Sequence, residues 1–314
     1  MNKLPLHISN GSVLTNRLNE LNVEGEILTW QEMLCEGPTV EQVYSDEFLK
    51  LRKDFFSTFY DIDLVTSEIK QELDKLNHSE NYSEIILWFE YDLFCHINMI
   101  AVISLIQQKK IKLPLYLVCS GKVERNKNLK GLAELNAGEL LKHYMDKVKL
   151  LPEDIDIATT AWSIYCGKDH NLLKPFIVKK SSFKYLSNCL KAHLERFPET
   201  KDGLNVMERN ILEIVKNTAI KSKHHLLGYA LNYQGYYGYG DLQVSRIIEK
   251  LSIFFTEEEE NRIKLNRKGH EALLGQHNFA KEINNNMVFG GISKFDFQFN
   301  KKENKLIKTV YNVS

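Results

Sequence analysis

The stretch from Ile85 to Ile106 is strongly apolar, yet it carries Glu90, Asp92 and His96 within the run Trp88-Phe89-Glu90-Tyr91-Asp92-Leu93-Phe94-Cys95-His96. Five apolar residues in a row, Ile85 to Phe89, suit a strand covered on both faces, as in a parallel sheet. Leu93 to Gln108 is apolar nearly all round, which predicts a buried helix. A chain that buries both elements must also bury much of what joins them. Ionised groups are rarely buried unless they are paired, hydrogen-bonded or liganded. Glu90, Asp92 and His96 therefore either hold a polar network or line a site. The same polar interruptions argue against a membrane span.

The alternation of strand and helix extends to both sides of this run. Leu4 to Ile8 predicts a first strand, ending at the turn Ser9-Asn10-Gly11-Ser12. A helix follows, with Val13, Leu14, Leu18 and Leu21 on one face. Glu26 to Trp30 predicts a second strand, Phe48 to Leu76 two exposed helices, and Leu113 to Cys119 a fourth strand after Ile85–Phe89. Together they predict an α/β fold with a mostly parallel, Rossmann-like sheet over residues 1–130. From about Leu132 the strand signals give way to helices, a helical extension over 131–200. Pro198 to Gly203 reads as a linker, and Asn205-Val206-Met207-Glu208 as a capping box. Three helices and then short strands, among them the alternating Phe295, Phe297 and Phe299 with Leu306 to Tyr311 as partner, predict a winged-helix-like α+β domain over 201–314.

Lys plus Arg and Asp plus Glu each number 41 in 314 residues, so no large non-specific nucleic-acid footprint is implied. Five scattered cysteines without a CxxC pair suggest neither a disulfide framework nor a zinc ribbon, and reduced thiols point to the cytoplasm. The N-terminus turns polar within ten residues, unlike a signal peptide.

Ligands of parallel sheets bind outside the carboxyl ends of the strands. Three turns fall there: Ser9 to Ser12, Trp30 to Gly37, and Glu90 to His96. Asn10, Gly11 and Ser12 could offer backbone N–H groups and a helix N-terminus to a phosphate-like anion, with His7 facing the site. The plainer reading is an Asn-Gly turn with Ser12 as a helix cap. Glu90, Asp92 and His96, with His7, are the candidate acid–base residues, because paired carboxylates in an apolar setting have their pKa values pushed apart. Such a set can also hold a divalent metal, although the spacing alone assigns no metal ligands and no cofactor. The plainer reading makes Asp92 a helix cap and His96 its neighbour's partner. Glu32 and Glu36 either complete the site or are solvated loop acids, and Cys35 beside them lacks the signature of a nucleophile. Gly235-Tyr236-Tyr237-Gly238-Tyr239-Gly240 reads as a binding loop or, more plainly, as an aromatic turn packed on its own domain.

Several of these motifs occur together in a known family. Leu6-His7-Ile8-Ser9-Asn10-Gly11-Ser12, Trp30-Gln31-Glu32 with Glu36-Gly37-Pro38, Leu87 to Cys95, Gly203 to Leu212, Gly240-Asp241, Lys268 to Gly275 and Gly290-Gly291 resemble the bacterial family called domain of unknown function eighteen thirty-five. The resemblance covers nearly the whole chain and implies a shared architecture, without implying an activity. Two positions depart from it. Family members usually carry an acidic residue directly after the Asn-Gly, where this chain has Ser12, and a tryptophan-rich tail, where it has Phe295, Phe297 and Phe299.

Two functional classes follow. One is a hydrolase or transferase acting on a small anionic or nucleotide-like ligand. The other is a regulatory protein that contacts DNA or another protein through the helix Asp241–Leu251. The exposed candidates on that helix, Gln243, Ser245, Arg246, Glu249 and Lys250, are not strongly basic, which favours packing over DNA. No membrane partner is implied, and a homo-oligomer is compatible with the sequence.

Overall fold

The computed structural model describes residues 3–123, 129–257 and 262–309. Strand β1 (Leu6–Asn10) leads into helix α1 (Ser12–Glu20), then β2 (Glu26–Trp30), the two-residue β3 (Gly37–Pro38), α2 (Asp46–Tyr60) and α3 (Thr66–Asn77). Next come β4 (Ile85–Phe89), α4 (Leu93–Gln108), β5 (Leu115–Cys119) and the short pair β6 (Gly121–Lys122) and β7 (Leu129–Lys130). Helix α5 (Ala137–Met145), β8 (Val148–Lys149), α6 (Pro152–Cys166), α7 (Lys174–Val178) and α8 (Leu186–Glu195) follow. The main sheet has the order β2-β1-β4-β5-β8. Its first four strands are parallel and β8 is antiparallel to β5. The mixed α/β fold with a mostly parallel sheet is the one the sequence predicts. Strand β8 is an addition, since two residues carry no periodicity.

Strand β4 is the centre of this arrangement. Ile85, Leu87 and Phe89 face one core, and Ile86 and Trp88 face a second, with Leu14 and Leu18 of α1 and Leu132, Leu135 and Leu140. Burial on both faces is why the strand reads as an unbroken apolar run. Helix α4 packs against both α6 and α8, which accounts for its lack of a polar face. Each Leu or Ile so buried contributes roughly 1.5–3 kcal/mol. The exposed edge of β2 is closed by side chains instead of a strand. Glu72 of α3 accepts the Thr29 N–H at 2.7 Å, and Lys75 donates to the Ile27 carbonyl at 2.7 Å.

The last third opens at the expected capping box. The Asn205 side chain accepts the Glu208 N–H at 2.7 Å, and Glu208 accepts the Asn205 N–H at 2.9 Å. Helices α9 (Val206–Asn217), α10 (Lys223–Asn232) and α11 (Asp241–Lys250) precede the antiparallel pair β9 (Phe255–Glu257) and β10 (Ile263–Leu265). Ile220 bridges to Ile263. After α12 (Arg267–Leu274) and α13 (Ala280–Ile283), β11 (Val288–Gly290) pairs with β12 (Ile292–Ser293) and with β3. The alternating phenylalanines mark the hairpin of β13 (Phe297–Asn300) and β14 (Lys305–Lys308), with Phe295 just before it. Tyr311 lies outside the described residues. One apolar cluster runs from Leu6 to Leu306, so the segments 1–130, 131–200 and 201–314 share a core. Among the described residues no helix is long and apolar enough to cross a membrane.

Candidate functional site

The strand register sets the site. Ser9 pairs with Trp88 and Phe89 with Cys119, so Gly11, Glu90 and Ser120 stand in a row at the carboxyl ends, about 4.8 Å from strand to strand. Helix α4 starts just beyond. Asp92 caps it, its Oδ1 accepting the Cys95 N–H at 2.8 Å. The N–H groups of Leu93 and Phe94 donate to the carbonyls of Tyr236 and Tyr237 at 2.7 and 3.2 Å. The loop Gly235–Gly240 is held to its own segment through Gln234 and Gln243 and also packs on the α/β unit, where it closes this helix end to an anion. Gly238 makes the approach possible. Its φ is +66°, and a Cβ there would stand 2.2 Å from Asp92 Cγ.

Glu90, Asp92 and Cys95 each place one ligand atom within 4.8 Å of the others. Burial raises the Glu90 carboxyl, against the pull of the backbone N–H groups of Leu132 and Ala133. Burial also pushes Asp92 up to about 7, with the Cys95 N–H opposing and Glu90 adding repulsion. The Cys95 thiol is raised by burial and then by both carboxylates, and its sulfur accepts the Asn10 Nδ2–H at 3.1 Å. Among the described residues no basic side chain pairs with Glu90 or Asp92. When ionised the cluster is negative, with Asp92 and Cys95 buried and Glu90 half-buried, and it has no counter-charge among the described residues; a divalent cation is a species that balances such a set.

Two of the three predicted turns are tied together by one residue that sequence reasoning passed over. Asn98 Nδ2 donates to Asn10 Oδ1 at 2.8 Å and to the Glu32 carbonyl at 2.6 Å, and Asn98 Oδ1 accepts the Leu34 N–H at 3.2 Å. Its signal was a lone amide inside an apolar helix. On the far side of Asn10, helix α1 starts at Gly11 (φ +94°) with no side-chain cap, and Ser12 and Val13 are exposed. The space where a Gly11 Cβ would lie is open. This helix end is free to face an anion.

The remaining candidates lie elsewhere. Trp88 Nε1 donates to His7 Nδ1 at 3.0 Å, so His7 Nε2 carries the proton and donates to the Glu24 carbonyl at 3.0 Å. Both ring nitrogens are engaged within the fold. His96 Nδ1 donates to the Asp92 carbonyl at 2.9 Å, and burial lowers its pKa to about 4, which keeps the ring neutral. Glu32 lies 3.4 Å from Arg52 Nε. Glu36 accepts from the Tyr60 hydroxyl and from Arg246 Nη2, the latter at 3.1 Å. These two acids hold α2 and α11 to the loop and do not meet Glu90. Cys35 is raised far above its ordinary value by burial, which leaves it a protonated thiol.

A second buried polar cluster centres on Arg196. Its guanidinium donates to the Cys35 carbonyl, to the hydroxyls of Tyr239 and Tyr165 at 3.3 Å each, and to His193 Nδ1. His170 Nε2 faces the Tyr165 carbonyl at 2.8 Å and must donate, so His170 Nδ1 accepts from His193 Nε2 at 2.8 Å. The guanidinium also stacks 3.6 Å from the centre of the Phe289 ring.

No family model matches the sequence, and no curated protein does. Among solved structures the chain is similar to the Plasmodium falciparum topoisomerase II DNA-binding, cleavage and re-ligation domain, with a TM-score of 0.51 and 14% identity. The likeness is one of fold alone. It covers 82% of this chain and 43% of that one, so this chain spans less than half of its neighbour's length.

Proposed function

We propose that the chain binds a divalent cation through Glu90, Asp92 and Cys95, and with it a phosphate-bearing, nucleotide-type ligand at the N-terminus of α1, as a hydrolase or transferase. One observation carries this reading: two carboxylates and a thiol lie within reach of one ion, with no basic partner among the described residues. The uncapped start of α1, one strand away, supplies N–H groups and a positive dipole end for the phosphate. A cation here would neutralise the carboxylates and polarise a phosphoryl oxygen. We also propose membership of the family domain of unknown function eighteen thirty-five. Ser12, in place of that family's usual acid, then leaves this chain one oxygen ligand short. Five free cysteines fit the cytoplasmic setting expected from the sequence.

Calorimetric titration of the metal-free chain with Mn²⁺ tests the reading. One ion should bind per chain, and Glu90→Gln and Asp92→Asn should each weaken binding at least roughly tenfold while circular dichroism stays unchanged. Metal-dependent binding of ADP should then follow in the wild type alone. If Mn²⁺, Mg²⁺ and Zn²⁺ all fail to bind, the cluster is structural.

The alternative is DNA contact through a winged-helix-like C-terminal unit. The order α9-α10-α11-β9-β10 with the Ile220 bridge supports that architecture, and the structural neighbour is described as DNA-binding. The side chains a reading helix needs are committed elsewhere, however. Gln243 is buried and donates to Cys35 Sγ at 3.3 Å, Arg246 holds Glu36, and Lys250 donates to the Asn284 carbonyl at 3.1 Å. We therefore assign the unit to packing, with loop 235–240 completing the site.

A further inference from the structure

Single apolar side chains on a surface are ordinary, but a row of them along one helix face is not. The 3₁₀ turn His170–Leu173 runs directly into α7. Leu173 is buried, and the half-buried Phe176 and Ile177 pack against the core. Leu172, Pro175 and Val178 are spaced by three, which places them on one face, and all three are exposed. Val178 is 84% exposed and Leu172 57%, and among the described residues no large apolar side chain is more exposed than Val178.

Lysines rim this stripe. Residues 168–184 hold five lysines against one acid, Asp169, and residues 301–308 hold four against Glu303, in a chain whose bases and acids balance at 41 each. The two stretches meet in the fold. The Asn171 side chain accepts the Leu306 N–H at 2.7 Å and donates to the Leu306 carbonyl at 2.9 Å. Lys174 Nζ donates to the Glu303 carbonyl at 3.4 Å. Glu303 pairs with Lys305, and Asp169 accepts the Asn171 N–H at 3.0 Å. Lys179, Lys180, Lys301 and Lys302 are exposed, and no acid among the described residues pairs with them.

We propose that this face docks on an anionic lipid bilayer, with Leu172, Pro175 and Val178 at the headgroup boundary and the lysines against the lipid phosphates and carboxylates. The apolar stripe decides between polyanions. A nucleic-acid backbone also attracts lysines, but it has no use for apolar side chains, and neither stretch carries an arginine to fork a phosphate or reach a base edge. A bilayer takes both, since lysine stems lie along apolar surface while their ammonium groups stay among the headgroups. Each lysine near an anionic surface raises partition roughly fivefold. Among the described residues no helix is long and apolar enough to cross a bilayer, so the contact is with its surface. The sequence alone implies no membrane partner, because the stripe and the two lysine runs come together only in the fold. None of Glu90, Asp92 and Cys95 takes part, so the proposal is independent of a cation there.

Co-sedimentation of the full chain with lipid vesicles tests it. Phosphatidylcholine vesicles containing roughly a third phosphatidylserine should capture the chain at about 0.1 M salt, and pure phosphatidylcholine vesicles should not. Lys179→Gln combined with Lys180→Gln should weaken capture at least roughly tenfold. Leu172→Ser combined with Val178→Ser should weaken it by roughly tenfold, with circular dichroism unchanged because both side chains are exposed. Failure to bind the phosphatidylserine vesicles, equal capture by pure phosphatidylcholine, or capture untouched by the Leu172 and Val178 substitutions would each overturn the proposal. So would tighter binding to duplex DNA than to the vesicles at the same salt. The wild-type comparisons of lipid and DNA stand even if a variant folds poorly.

Discussion

Arg196 and Asp92 are both almost wholly buried, and their surroundings differ in kind. Arg196 donates to two hydroxyls, a carbonyl and a neutral histidine whose own partner is fixed in turn, and its charge lies against an aromatic face. Each donor finds an acceptor, so the network joins the loop at Cys35, helix α6, helix α8 and the Tyr239 loop into one body. Asp92 has a second carboxylate and a thiol beside it, and the neutral Cys95 N–H and S–H, with no charged donor among the described residues, oppose the effect of its burial. A closed polar network is what a fold needs for uniqueness. An unbalanced one stores free energy that a ligand of opposite charge can release.

Breaking the closed network should have the largest effect. Arg196→Met removes the donor to Cys35, Tyr165, Tyr239 and His193 together, and should cost on the order of 5 kcal/mol in urea unfolding. A loss under about 1 kcal/mol would mean the network does not hold these segments together.

Asp92→Asn should act in the opposite sense. The folded chain holds the Asp92 proton more tightly than the unfolded chain does, so ionising it opposes folding. The penalty is absent below about pH 4, grows through the range up to the folded value of about 7, and reaches roughly 4 kcal/mol above it. The metal-free variant should therefore be more stable than the wild type at pH 8 and equal to it at pH 4. For the same reason, cation affinity in the wild type should rise with pH up to about 7 as Asp92 ionises, and should go on rising above it, because the Cys95 thiol must also lose its proton to ligate. A gain that is the same at both pH values would remove the charge argument.

Histidines set the acid limit. Burial lowers His96 and His170 to about 4, so the fold resists the protons that the unfolded chain accepts. In Asp92→Asn, where the opposing titration of Asp92 is removed, stability should fall as pH drops from about 6.5 to 4, by roughly 3 kcal/mol for each ring. A melting temperature that stays flat across that window would contradict the neutral His170–His193 pairing with Arg196. The smallest effect is expected at Gly238→Ala, where a positive φ and contact with Asp92 together should cost roughly 2 kcal/mol. Its sharper readout is weaker Mn²⁺ binding, because Asp92 must shift.

Much of this contrast was already legible in local pattern. The apolar run Ile85–Phe89, the all-round apolar α4 and the turns after each strand carry the parallel sheet and the position of Glu90 and Asp92, because burial on two faces leaves a continuous apolar signature. The Asn205–Glu208 capping box was readable for the same reason, its partners being three residues apart. Strand β8 was not readable, since its pairing comes from a distant partner. Nor were the roles of His7, Glu32 and Glu36. A histidine or glutamate in a strand or loop looks the same whether it faces a ligand or a buried arginine.

The sequence by itself determined where the chain turns, which strands are doubly covered, and that acids lie at the end of the third long strand. These follow from nearest-neighbour chemistry and periodicity. Only the tertiary structure decided which acids remain without a counter-charge among the described residues. Arg52 reaches Glu32 from the next helix and Arg246 reaches Glu36 from one far along the chain, while Gly238 brings backbone to Asp92. Charge balance at a buried site is a sum over residues distant in sequence, and no local pattern contains that sum.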